Sequence, residues 1–180
     1  VEHTGIKGLG LYVPGEPIDN TELQRLAGIE FNVDKIENKI GIKRRHIAKL
    51  RNTGETTADF ASNAAREAIK DAGIDPQEVA YFIVGTDTPE YISPSTAMLV
   101  QGRIQGGQKY TGSFDIGSSC AGFVTAYDAA SRMLAGDPEA RYAVVVGVYN
   151  MPAYVRDGDA FGYSIFSDGA AAFVLEKRDT

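Results

Sequence analysis

The chain has 180 residues, 43% of them apolar and 23% charged, which suits one globular domain with a substantial core and excludes a disordered tail-like protein. Its formal net charge of −6 argues against broad nucleic-acid binding. No apolar run approaches the roughly 20 residues that span a bilayer, the opening VEHTGIKGLG lacks signal-peptide character, and a single cysteine cannot close an internal disulfide. The expected setting is a reducing cytoplasm, with neither membrane nor nucleic acid as partner.

In chain order, IKGLGLYV (6–13) reads as a strand. A helix opens at Thr56 with Asp59 as its capping-box partner, carries the stripe Phe60, Ala64, Ala68 and Ala72, and stops at Gly73. AYFIVGT (80–86) is a short continuous apolar run, as in a strand covered on both faces. A helix is expected over 95–105 and a break at Gly106-Gly107, then a strand over SFDIG (113–117) and a helix from Cys120 to Ala135. YAVVVGV (142–148) and AAAFVLE (170–176) complete the strands. Such alternation predicts an α/β layered fold with a largely buried sheet, and no punctuation is long enough to divide the chain into domains.

Cys120, the one cysteine, lies between the strand over 113–117 and the helix that follows. Phe123, Val124, Ala126, Tyr127, Ala130, Met133 and Leu134 spread apolar surface around most of that helix, which predicts a helix packed on all sides. A helix N-terminus favours a thiolate, and Gly117, Ser118, Ser119, Ala121 and Gly122 leave room for a substrate to approach. Free cysteine is also a common buried core residue, so local physics leaves nucleophile and inert filler about equally supported.

Other chemistries find little support. His3, His46 and one cysteine show no metal-ligand spacing, and CxxC and GxxxxGK[ST] are absent. The glycines at 8 and 10 are not followed by a third at dinucleotide-binding spacing, and Pro14 interrupts where a helix should begin. No carboxylate pair of glycosidase type stands out, and Gly169 in FSDGAAAF reads as a tight turn. The basic run IKRRHIAKLR (42–51) fits either a solvated edge strand or a landing patch for an anionic partner.

Several segments in order resemble one family: GLGLYVPGEPIDNTEL, GIKRRHIA, GTDTPEYISPSTA, DIGSSCAGF, YAVVVGV and FSDGAAAFVLE are similar to segments of the β-ketoacyl-acyl-carrier-protein synthase III group of the thiolase superfamily. The resemblance implies a layered thiolase-like fold, a mixed sheet with a buried central helix led by the nucleophile Cys120. It covers the family's N-terminal half: residues 1–180 would be one half of a condensing enzyme, with the C-terminal half absent and the fragment inactive alone. The implied activity is acyl transfer from an acyl thioester to Cys120, then to a malonyl thioester by decarboxylative Claisen condensation, in fatty-acid or related biosynthesis. Acyl-CoA and acyl carrier protein are the implied substrates and partners, with no bound cofactor or metal, in a homodimer paired through a strand around Ser113 to Ile116. Phe166, Met151 and Ser93 would bound the acyl pocket, and Lys39, Arg44 and Arg45 would meet an anionic carrier or CoA.

The chain departs from the family pattern at the CoA site. Lys35 stands at the position of a tryptophan that stacks on adenine, Lys39 replaces an arginine and so lacks its planar fork, and Ala160 replaces another arginine. The family's His–Asn pair comes from the second half, and neither His3 nor His46 matches it. Two alternatives follow. One is a hydroxymethylglutaryl-CoA synthase-like enzyme, which needs a carboxylate base near the cysteine, with Asp87 and Glu90 in the appropriate loop. The other is a non-catalytic partner subunit of the same fold.

Overall fold

The computed structural model describes residues 3–106 and 110–178. Gly107, half of the expected break, lies outside the described residues. In chain order the elements are β1 (His3–Tyr12), β2 (Ile18–Asp19), α1 (Asn20–Ala27), a wide helical turn over Lys35–Ile40, β3 (Arg44–Arg45), α2 (Ala48–Arg51) and α3 (Thr57–Ala72). Then come β4 (Val79–Gly85), α4 (Thr96–Gln105), β5 (Gly112–Ile116), α5 (Gly122–Gly136), β6 (Tyr142–Asn150), α6 (Ala160–Ile165) and β7 (Asp168–Arg178).

Five strands form one mixed sheet in the order β1-β7-β6-β4-β5. β4 runs parallel to β5 and β6, while β7 is antiparallel to both β6 and β1. The parallel centre follows from the crossover helices α4 and α5, which carry the chain back to start each next strand in the same direction. The expected α/β layering is therefore present.

α3 begins where the sequence predicts. The Thr56 hydroxyl accepts from the Asp59 amide and the Asp59 carboxylate accepts from the Thr56 amide, and Gly73 ends the helix in the left-handed region at φ 65°. Its buried face is mostly alanine (Ala61, Ala64, Ala65, Ala68), so the helix lies close on the sheet. A Cβ on Gly10 would fall 2.0 Å from the Ala64 carbonyl oxygen, so that strand position must be glycine. With Phe60, Phe82 and Val100 these residues form one core layer, and each large apolar side chain buried this way contributes about 1.5–3 kcal/mol.

α4 is capped from a distance. The Asp115 carboxylate of β5 accepts from the Thr96 and Ala97 amides at 2.7 and 2.8 Å, and Ser95 accepts from Met98. On the opposite sheet face α5 packs Ala126, Ala130 and Leu134 against Ile83, Ala143 and Val145. A third cluster (Ile18, Leu23, Ile47, Tyr163) lies under α1 and α6.

Two expectations are corrected. α5 is not buried all round: Val124 is 68% exposed, and Thr125, Asp128 and Arg132 form a polar stripe beside it. Those three residues recur at helical spacing, so the helix is amphipathic, with one face on the sheet. Gly169 is not a tight turn either, but the second residue of β7, opposite Tyr149.

The start of β7 is tied to the segment before α2. The Asp168 amide donates to the His46 carbonyl at 2.8 Å, and its Oδ2 accepts from the Ala48 amide at 2.7 Å. Asp168 is 2% exposed, and its Oδ1 has no hydrogen-bond partner among the described residues. Burial pushes its carboxyl up to about 6.

Candidate active site

β5 ends at Ile116, and Gly117 and Ser118 lead into a tight 3-10 turn, Ser119–Ala121. The turn closes through the Ala121 amide, which donates to the Ser118 carbonyl at 3.0 Å. Ser119 has φ 46°, a left-handed conformation that costs a non-glycine residue about 1–2 kcal/mol. Cys120 is exposed at the crest of this turn. α5 begins at Gly122, directly after this turn, so the cysteine sits in the 3-10 turn that runs into the helix.

Two glycines set the height of the turn above the sheet. A Cβ on Gly85, the last residue of β4, would lie 2.5 Å from the Gly122 carbonyl carbon. A Cβ on Gly147 of β6 would lie 3.0 Å from the Phe123 ring. Without those methyl groups the start of α5 settles onto the carboxyl ends of two parallel strands, the edge where open α/β sheets bind ligands.

A cavity of ≈ 300 Å³ opens beside the thiol. Its walls include Leu11, Val13, Phe123 and Val148, with Ser119, Cys120 and Tyr149 among its polar members. An apolar wall with a few polar groups suits an acyl chain more than a charged metabolite. Asp87, from the loop after β4, joins two of the polar members: Oδ1 accepts from the Ser119 amide at 3.2 Å and Oδ2 from the Tyr149 hydroxyl at 2.6 Å. The hydrogen bond to Asp87, with burial second, pushes the Tyr149 phenol up to about 12, so it stays protonated and donates.

The remaining sequence candidates fall elsewhere. Phe166 and Met151 are half-buried and Ser93 is exposed, and none lines the cavity at Cys120. Lys39 and Arg44 are exposed, but Arg45 is 3% exposed. Strand alternation turns Arg45 inward, where Nη2 donates to Asn20 Oδ1 at 2.5 Å and to the Ser164 carbonyl at 3.1 Å. It is therefore not part of an exposed basic patch. Glu90 accepts from the Ala58 amide at 3.2 Å in the first turn of α3, which leaves Asp87 as the loop carboxylate at the cysteine turn. His46 is engaged through Nδ1 with the carbonyls of Pro14 and Gly15. Among the described residues no group of three or more His, Cys, Asp or Glu side chains could hold a metal ion, and no helix is long and apolar enough to cross a membrane.

The sequence reading missed most of the cavity: Leu11, Val13, Gly147, Tyr149 and Gly169 come from three separate strands or their ends. The clue available was the phase of the strands, since Leu11 and Val13 alternate with Gly10, which faces α3.

The profile described as 3-oxoacyl-[acyl-carrier-protein (ACP)] synthase III matches residues 114–180. The β-ketoacyl-[acyl-carrier-protein] synthase III of Coxiella burnetii is 34% identical over 173 residues, 96% of this chain and 52% of that protein. Its namesake in Clostridium perfringens is 34% identical over 179 residues, 99% of this chain and 52% of that protein. Among solved structures, the 3-oxoacyl-[acyl-carrier-protein] synthase III of Aquifex aeolicus superposes with a TM-score of 0.86 at 33% identity, covering 98% of this chain and 55% of that one. The priming β-ketosynthase of the R1128 polyketide biosynthetic pathway gives 0.88 at 28% identity, covering 99% and 51%. The chain spans about half the length of the curated relatives it matches. By sequence and by fold the chain is similar, over nearly its whole length, to the N-terminal half of β-ketoacyl-ACP synthase III proteins.

Proposed function

We propose that this chain is the acyl-accepting half of a condensing enzyme of the synthase III type, with Cys120 as the nucleophile. The observation that carries the reading is the exposed thiol on a strained turn beside an apolar ≈ 300 Å³ cavity, at the carboxyl ends of parallel strands. The Cys120 thiolate attacks the carbonyl carbon of an acyl thioester, from acyl-CoA or acyl carrier protein. The tetrahedral adduct collapses, the donor's sulfur leaves and takes a proton, and the acyl group stays on Cys120. A malonyl thioester then loses carbon dioxide. Its carbanion attacks the acyl carbonyl, a C–C bond forms, the C–S bond breaks, and the thiolate of Cys120 is released.

The second step needs donors for the enolate oxygen, which the resemblance assigns to a His and an Asn of the other half. This half alone is therefore an acyl acceptor and not a complete synthase. β5 is an edge strand of the five-stranded sheet, which supports pairing with a second copy there. Lys39 and Arg44, both exposed, are the candidates for a carrier's phosphate.

Intact-mass spectrometry of the full-length protein, mixed with acyl-CoAs of increasing chain length, tests the reading. The expected result is a single acyl adduct that disappears in Cys120→Ala. Condensation at the normal rate by Cys120→Ala would instead make this a non-catalytic partner subunit.

One observation favours a second reading, a hydroxymethylglutaryl-CoA synthase-like reaction: the Asp87 carboxylate lies at the cysteine turn, where a base for an acetyl donor is needed. Product from an acetyl donor with none from a malonyl donor would select it.

A further inference from the structure

The feature that the acyl-transfer reading leaves unused is the pair that grips the cysteine turn. Ser119, the residue before the thiol, is held at φ 46° without the freedom of glycine. A left-handed serine reverts to a commoner conformation unless its neighbours over-determine it, and reversion would swing the Cys120 side chain. The Asp87 carboxylate opposes that. It takes the Ser119 amide on one oxygen and the Tyr149 hydroxyl on the other, at 3.2 and 2.6 Å. Asp87 follows β4 and Tyr149 lies on β6, neighbouring parallel strands of the mixed sheet, so the brace ties the turn to the sheet. Tyr149 also lines the cavity that holds Cys120.

We propose that Asp87 and Tyr149 are positioning residues: their hydrogen bonds to each other and to the Ser119 amide fix the Ser119–Cys120 turn so that the thiol meets a thioester carbonyl in attacking geometry. This rests on the reading of Cys120 as the acyl-accepting nucleophile. The role is geometric. Attack on a thioester demands an aimed sulfur and an oxyanion donor at once, whereas alkylation by iodoacetamide demands only an accessible thiolate. Loss of the brace should therefore separate the two reactions. The raised Tyr149 phenol agrees with this arrangement, since the hydroxyl is protonated and donates to Asp87 at neutral pH.

The test uses Asp87→Ala, Asp87→Asn and Tyr149→Phe in the full-length protein, with three measurements. These are acyl transfer from acyl-CoA, alkylation of Cys120 by iodoacetamide, and hydrogen exchange of the Ser119 amide. In Asp87→Ala, acyl transfer should fall at least about 10-fold and Ser119 exchange should rise about as much, with alkylation within about 3-fold of wild type. Asp87→Asn keeps an acceptor for the Ser119 amide and should restore acyl transfer to within about 3-fold. Tyr149→Phe should fall between them. Wild-type acyl transfer in Asp87→Ala would overturn the proposal, as would an Asp87→Asn as slow as Asp87→Ala, which would assign the effect to charge. If the unaltered protein forms no acyl adduct with any donor, the reading of Cys120 fails. The exchange of Ser119 then still decides the brace, and an unchanged rate in Asp87→Ala would refute it.

Discussion

Gly85 at the end of β4 and Gly122 at the start of α5 approach so closely that a methyl group on Gly85 would lie 2.5 Å from the Gly122 carbonyl carbon. The contact is backbone against backbone, so no side chain can move aside. Gly85→Ala should therefore displace the start of α5, costing about 1–3 kcal/mol in urea unfolding and slowing acylation of Cys120. Gly102, inside α4 with nothing within 4 Å of an added Cβ, is the contrasting site. Gly102→Ala should stabilise the fold by about 0.5–1 kcal/mol through helix propensity alone.

The Asp168 carboxyl gives a pH prediction. Burial raises it to about 6 in the fold, against an ordinary value of 3.8. Between those values the folded chain keeps a proton that the unfolded chain has lost, so stability contributed by this group falls as pH rises from about 4 through about 6. The expected loss is at most roughly 2–3 kcal/mol. Asp168→Asn, which keeps an acceptor for the Ala48 amide, should flatten that part of the profile; thermal unfolding from pH 4 to 7.5, with buffer ionic strength fixed at about 0.15 M, measures it. An unchanged slope would remove Asp168 as its source.

Asp115 predicts a long-range helix cap. Its two oxygens serve the Thr96 and Ala97 amides, so Asp115→Ala leaves two donors at the start of α4 without their partners. The expected cost is on the order of 1–3 kcal/mol in chemical denaturation, with partial recovery in Asp115→Asn. Thr56→Ala, which breaks the capping box of α3, should cost about 1 kcal/mol.

Ser119 separates stability from function. Glycine adopts φ 46° without strain, so Ser119→Gly should leave the melting temperature unchanged or raise it, by up to about 1 kcal/mol equivalent. The same change frees the turn, and acyl transfer to Cys120 should slow. A faster reaction in Ser119→Gly would mean that the turn's rigidity restrains the thiol and does not aim it.

The local signals were legible where a few neighbouring residues decide the outcome. Thr56 with Asp59 announces the start of α3, Gly73 its end, and the apolar runs at 80–86 and 142–148 the central parallel strands. α5 was misjudged because Phe123, Tyr127 and Met133 drew attention from Thr125, Asp128 and Arg132, whose spacing marks a solvent face. The cysteine was legible as chemistry, but its surroundings were not. Leu11, Gly147, Tyr149 and Gly169 reach the cavity through strand pairing, a long-range property that no local window carries. Arg45 and Arg44 stood together in a basic run, and only the two-residue pairing of β2 with β3 shows that one faces inward.

The pairing of β1 with β7 has a consequence for how the chain is made. Tyr12 pairs with Ala170 and His3 with Arg178, so among the described strands β1 has no partner until β7 has been synthesised. At ribosomal rates of about 5–20 residues per second, that leaves β1 waiting on the order of ten to thirty seconds. During that interval the apolar side chains of Leu9 and Leu11 lie on an unpaired strand, a ready template for wrong pairing. The β1–β7 ladder is therefore a non-local contact that forms late, and such contacts slow folding.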